Sequence, residues 1–203
     1  MRRLGLWEWA LVIAVGVAAA PRVSFAQGAT GIVVDRLAPM PGRRGNVVNL
    51  ATSDLHPHLA TDLGLTMHYI DTQLRLIPVG GAARASDIVQ SQLKADLAAT
   101  VGVLGWLDVT LAMPLVLQQR GGDLAALGEP GQAVGGAAAG DLRVMPKVQL
   151  IDPARFYGLG VAVMTPVYLP TGDTDSFNSE GSVRGGATLI VDWRVAELLV
   201  TAN

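Results

Sequence analysis

From residue 59 to its end the chain is patterned with a period of two. In 59–69, Leu59, Leu63, Leu65, Met67 and Tyr69 fall on one face, opposite Asp62, Gly64, Thr66 and His68. In 92–103, Leu93, Ala95, Leu97, Ala99, Val101 and Val103 oppose Gln92, Lys94, Asp96 and Thr100. The same alternation recurs in 107–115, 142–150, 157–167 and 183–193. A period of two places successive side chains on opposite faces of a strand. The pattern therefore predicts six strands of about ten residues, longer than the roughly five or six of a typical soluble strand. The terminal "ELLVTAN" (197–203) reads as the start of a seventh.

Between these strands the connections alternate in length. Those at 71–91, 118–140 and 169–182 are long, and those at 104–106, 152–156 and 194–197 are short. Alternating short and long connections belong to up-and-down barrels of the outer-membrane type, and strands near ten residues cross a bilayer when tilted by about 45°. The expected fold is all-β, an antiparallel up-and-down transmembrane β-barrel, incomplete and cut off in its seventh strand. Asp62, His68, Lys94, Asp96, Asp108, Arg143, Lys147, Arg184 and Asp192 fall on the polar face. They are expected to point into the lumen, as a pore lining or as a space-filling ionic network. Tyr69, Trp106, Tyr157, Tyr168 and Trp193 stand at strand ends, where an aromatic girdle would meet the membrane interface. The competing reading is a soluble periplasmic β-sandwich, whose strands alternate for a different reason: one face looks onto a shared core.

The start of the chain favours export. Arg2 and Arg3 precede an apolar run at 10–20, and Ser24 and Ala26 stand at −3 and −1 before Gln27. That is the layout of a cleavable secretory signal over 1–26. The run is shorter than the roughly 20 residues of a spanning helix. Residues 27–57 hold Pro39, Pro41 and Pro57 and show no period, so an irregular segment is expected before a barrel over 58–203. A net charge of −2 gives no footprint for nucleic acid. The absence of cysteine removes thiolate metal sites and thiol nucleophiles.

Candidate chemistry is sparse. "PTGDTDSFNSEG" (170–181) offers Asp173, Asp175 and Asn178, but Phe177 occupies the fifth position where a calcium loop needs a donor. A turn at 170–173 explains it. His56 and His58, two apart, could join His68 around a metal, but no acidic or sulfur partner has a supporting spacing. Asp62 and Asp96 can be paired as carboxylates, as any lumen allows. Neither G-x-S-x-G nor H-E-x-x-H occurs. No catalytic residue, cofactor or metal is expected, and the chain is read as no enzyme.

Three stretches carry a resemblance: "GVLGWLDVTLAMPLVL" (102–117), "GDLRVMPK" (140–147) and "LPTGDTDSFNSEGSVRGGATLIVDWR" (169–194). Over about 58–203 they resemble the N-terminal barrel of OmpA-family outer-membrane proteins. They are also similar to the outer-membrane transporters of the MetA-pathway phenol-degradation family. The resemblance implies porin-like passage of small solutes or a structural envelope role, with outer-membrane lipid as partner. Peptidoglycan would be a partner only through a further C-terminal domain.

Overall fold

The computed structural model describes residues 50–76, 86–123 and 133–203. The expected signal segment, and the irregular segment up to residue 49, lie outside the described residues. All regular structure described is β, in ten strands: β1 Thr61–Leu76, β2 Ser86–Leu104, β3 Leu107–Asp123, β4 Ala133–Ala139, β5 Leu142–Ile151, β6 Leu159–Met164, β7 Val167–Leu169, β8 Arg184–Gly185, β9 Thr188–Val195 and β10 Leu198–Ala202. They form one sheet in the order β1-β2-β3-β5-β6-β9-β10, antiparallel throughout and curled into half a barrel.

Three ribbons of this meander are interrupted. β4 and β5 both pair with β3, Ala139 opposite Leu115 and Arg143 opposite Ala112, so 133–151 is one ribbon broken at Gly140 and Asp141. β6 and β7 share β5 in the same way, with the break at Thr165 and Pro166, where proline has no N–H for the ladder. β8 and β9 continue the next ribbon. Seven successive ribbons result, and "ELLVTAN" indeed opens the last, as β10 pairing with β9.

The ribbons reach further than the hydrophobic pattern predicts. β2 starts at Ser86, within the expected 71–91 connection, and β3 runs on through Gln118, Gln119 and Arg120 to Asp123. β4, "AVGGAAA", lies wholly inside the expected 118–140 loop. The β3 and β4 extensions carry mostly polar or very small side chains, and the β2 extension sets the buried Ile88 and Val89 side by side, so none leaves an alternation to read. Besides backbone pairing, Ile88 and Val89 pack with Leu74 and Phe177, and Gln119 bonds Gln92.

The register assigns the faces. Asp62, Thr100 and Thr110 share one cross-strand row, and Asp108 with Lys147 and Gly160 with Asp192 form others, all on the concave side. Leu65, Leu97 and Met113 share a row on the convex side, as do Leu159, Trp193 and Val200. Burial follows these faces in the reverse of a soluble protein. Leu63 is 78 % exposed, Leu65 62 % and Leu97 46 %, while Asp108 and Asp192 are each 1 % exposed. A small apolar core of Ala51, Ala112, Met145, Ala162, Met164 and Ile190 lies among the inward polar groups.

Candidate functional site

The concave face holds the groups capable of chemistry, in three levels between the short turns and the long connections. At the short-turn level the chain itself crosses the lumen. Residues 51–57 carry no strand pairing and run from β10 to β2 as a strap. Thr201 Oγ1 donates to the Ala51 carbonyl at 3.1 Å. The Ser53 N–H donates to Asp192 Oδ2 at 3.0 Å, and Gln149 Nε2 to the Ser53 carbonyl at 2.8 Å. Lys147 Nζ donates to the carbonyls of Thr52 (3.2 Å) and Asp54 (2.5 Å), and Arg194 Nη2 to the Asp54 carboxylate at 2.5 Å. The His56 N–H reaches both Asp108 oxygens at 3.1 Å, and its Nδ1 meets Asp108 Oδ2 at 2.8 Å. Asp62 Oδ2 lies 3.9 Å from His56 Nε2.

Two glycines make the seat. A Cβ on Gly160 would run into the Ser53 and Asp192 side chains, and one on Gly102 into the Pro57 and His56 carbonyls. The sequence supplies the seat by placing glycine or a hydrogen-bonding side chain at the inward turn-end position of one ribbon after another.

In the middle level Arg143 Nη2 donates to Asp96 Oδ1 at 2.5 Å, with both side chains buried. His68 Nδ1 is 3.6 Å from Asp96 Oδ2, and Lys94 stands opposite His68 in the β1–β2 register. The Thr100 and Thr110 hydroxyls are 2.8 Å apart. At the level of the long connections, the 170–183 segment folds inward. Gln92 Nε2 donates to Gln119 Oε1 (2.5 Å), which also accepts from Asn178 Nδ2 (3.2 Å), and Gln119 Nε2 donates to the Ser176 carbonyl (3.0 Å). Phe177 packs against Ile88 and Val89. Arg184 bonds Glu180 at 2.6 Å, lies 3.8 Å from Asp141 and stands over the Tyr168 ring at 4.3 Å.

Of the nine charged or His residues expected in the lumen, Lys94, Asp96, Asp108, Arg143, Lys147 and Asp192 are buried. Asp62, His68 and Arg184 are partly so. Of the five aromatics, Tyr69, Trp106, Tyr157 and Trp193 are exposed, Tyr157 almost completely at 99 %. Tyr168 belongs to neither end of an outer belt. Its register with Arg143 and Arg184 turns the ring to the inner face; the register on β5 is the same on both sides of the break at Pro166, so Tyr168 keeps the inward phase of Ala162 and Met164.

The 170–181 loop holds its own carboxylate. Asp173 accepts from the Asp175 N–H at 3.0 Å and the Ser176 hydroxyl at 2.5 Å, as a turn residue does. His58 Nδ1 meets the Val103 carbonyl rather than a ligand set. Among the described residues no group of three or more His, Asp or Glu is placed to hold a metal. Sequence reasoning missed the strap, the Gln92–Gln119–Asn178 cluster and the inward role of His56. The available signal was the crowding of Asp108, Lys147, Gln149 and Asp192 at one end of the polar face, where buried groups require partners.

These features define a class: an antiparallel up-and-down sheet curled as part of a β-barrel, apolar outside and ionic within. No family model matches the chain, nor does any curated protein or solved structure.

Proposed function

We propose that this chain forms the wall of an outer-membrane β-barrel with a structural envelope role, its interior filled in the state observed. The observation that carries the reading is the inverted polarity. Leu63, Leu65, Met67, Leu97, Leu111, Leu150, Trp193, Val195, Leu198 and Val200 are all large, apolar and exposed. They far exceed the small scattered patches of an ordinary soluble surface. Hydrocarbon solvates such a face without cost. A sandwich would instead bury it beneath a second sheet, and all described strands belong to the one sheet.

The dimensions agree. On β2 the outward apolar positions run from Leu93 to Val103. Ten steps of about 3.3 Å give about 33 Å along the strand, or about 25 Å across the membrane at a tilt of about 40°, the height of an outer-membrane apolar band. Asp71, Ser91 and Arg120 form the polar row that ends the band on the long-connection side. In hydrocarbon an unpaired sheet edge is not tolerated, so the reading requires strands laid against β1 and β10. The export expected from the pattern of residues 1–26 agrees with the location, and the filled lumen favours a structural role over passive passage.

The test is vesicle association. The mature chain, refolded from urea with lipid vesicles, should float with them and migrate as a compact, heat-modifiable band. A chain that stays monodisperse in detergent-free buffer and ignores vesicles would overturn the proposal.

A further inference from the structure

We infer that residues 51–57 form a resident plug that closes the short-turn mouth of the lumen, so that water or solute gains the interior from that side only when the strap leaves. The inference rests on the barrel reading and deepens it. It is carried by how the strap is bound. It takes no part in the ladder, so its departure would cost the wall none of its pairing. It is held by side-chain contacts from three separate ribbons, through Asp108 of β3, Lys147 of β5, and Asp192 and Arg194 of β9.

Apart from Ala51, which packs in the small apolar cluster, the strap lies on polar and charged groups. Asp108 and Asp192 are among the most buried polar groups of the described residues and Lys147 is buried beside them, with the strap lying over all three. If it withdrew, these charges would meet water, which solvates them well. The vacated wall would then be a hydrated ionic mouth. An ionic floor lowers the cost of opening relative to an apolar one, because water solvates the charges it uncovers. Gly102 makes room for the strap backbone and Gly160 for the Ser53 side chain, which a chain segment merely passing by would not need.

The chain lacks cysteine, so one introduced thiol reports cleanly. Thr110 lies on the inner face one step above Asp108 and is buried. In the full mature chain, folded in detergent, Thr110→Cys should react with a hydrophilic maleimide at least tenfold more slowly than the exposed control Arg155→Cys. With residues 51–57 replaced by a glycine-serine linker of equal length, Thr110→Cys should react at least tenfold faster than in the intact chain. Should the linker chain not fold, Asp108→Asn with Asp192→Asn is introduced into the full chain, and the same acceleration is required. Equal rates with and without the strap, or fast labelling of the intact chain, would overturn the plug. Vesicle flotation of the same proteins reports separately on the membrane reading. A chain that never floats yet shows the tenfold change retains the plug and loses the membrane.

Discussion

Leu97→Arg separates a lipid-facing wall from a soluble one by the sign of its effect. Leu97 stands mid-band on β2, flanked in register by Leu65 on β1 and Met113 on β3, and is 46 % exposed. On a soluble surface the change would fall within about ±0.5 kcal/mol and would improve solubility. At the midplane of a bilayer an outward Arg on a barrel costs about 2–4 kcal/mol. Each 1.4 kcal/mol is a factor of ten, so the ratio of folded to unfolded chain in vesicles should fall by about 30- to 1000-fold. Leu93→Arg, four residues nearer the rim, should cost only about 0–1 kcal/mol. The assay is a urea titration in vesicles, following the heat-modifiable band. If Leu97→Arg matches wild type and the variant stays soluble without detergent, the outward face does not meet lipid.

Three further outcomes follow from the interior. Asp96→Ala leaves the Arg143 guanidinium buried without its 2.5 Å partner and should cost about 3–5 kcal/mol by urea titration, whereas Asp96→Leu with Arg143→Met should recover most of the loss. Gly102→Ala drives a methyl into the Pro57 and His56 carbonyls and should cost about 1–3 kcal/mol. Gly105→Ala, with nothing within 4 Å, should be neutral in the same titration. Asn178→Ala removes partners from the buried Gln119 amide and should loosen the 170–183 segment by about 1–3 kcal/mol. Limited proteolysis should then cut there first, with the urea midpoint of the sheet little changed.

The faces of the long ribbons were legible because hydrophobic alternation persists wherever one side meets apolar surroundings. The phase of Asp62–His68, Lys94–Asp96 and Asp108 carries straight into the register. Legibility failed where that contrast vanishes. In "AVGGAAA" and around Gln118–Arg120 both faces are small or polar, so a paired strand looks like a loop. At Pro166 the pairing breaks but the phase is kept, so Tyr168 points inward with Met164 although it stands at a strand end. The strap was invisible for another reason: "ATSDLHP" has no period, because it packs along its length through backbone and side-chain hydrogen bonds rather than on one apolar face. Its partners were readable singly, but their convergence depends on the curl of the sheet.

That curl connects the wall to its contents. A sheet whose concave face carried only the Asp96–Arg143 pair and threonines would bury little apolar area on the inside, and the outward face gains nothing from folding in water. In the proposed membrane reading, stability of the curled form comes from lipid on one side and from segments laid across the other. The strap and the 170–183 segment supply the second, one at each end of the lumen, and each bonds residues on ribbons that are not neighbours. Ser53 and Asp54 join the β9 ribbon to β5, His56 reaches β3, and Gln119 of β3 reaches Asn178 before β8. Ladder bonds fix only adjacent ribbons and leave curvature soft. Bonds across the chord fix the distance between separated ribbons, and with it the radius. A plug that also sets the radius predicts that its removal widens the wall as well as opening it, so the linker chain should show faster labelling at Thr110 and a larger hydrodynamic radius together.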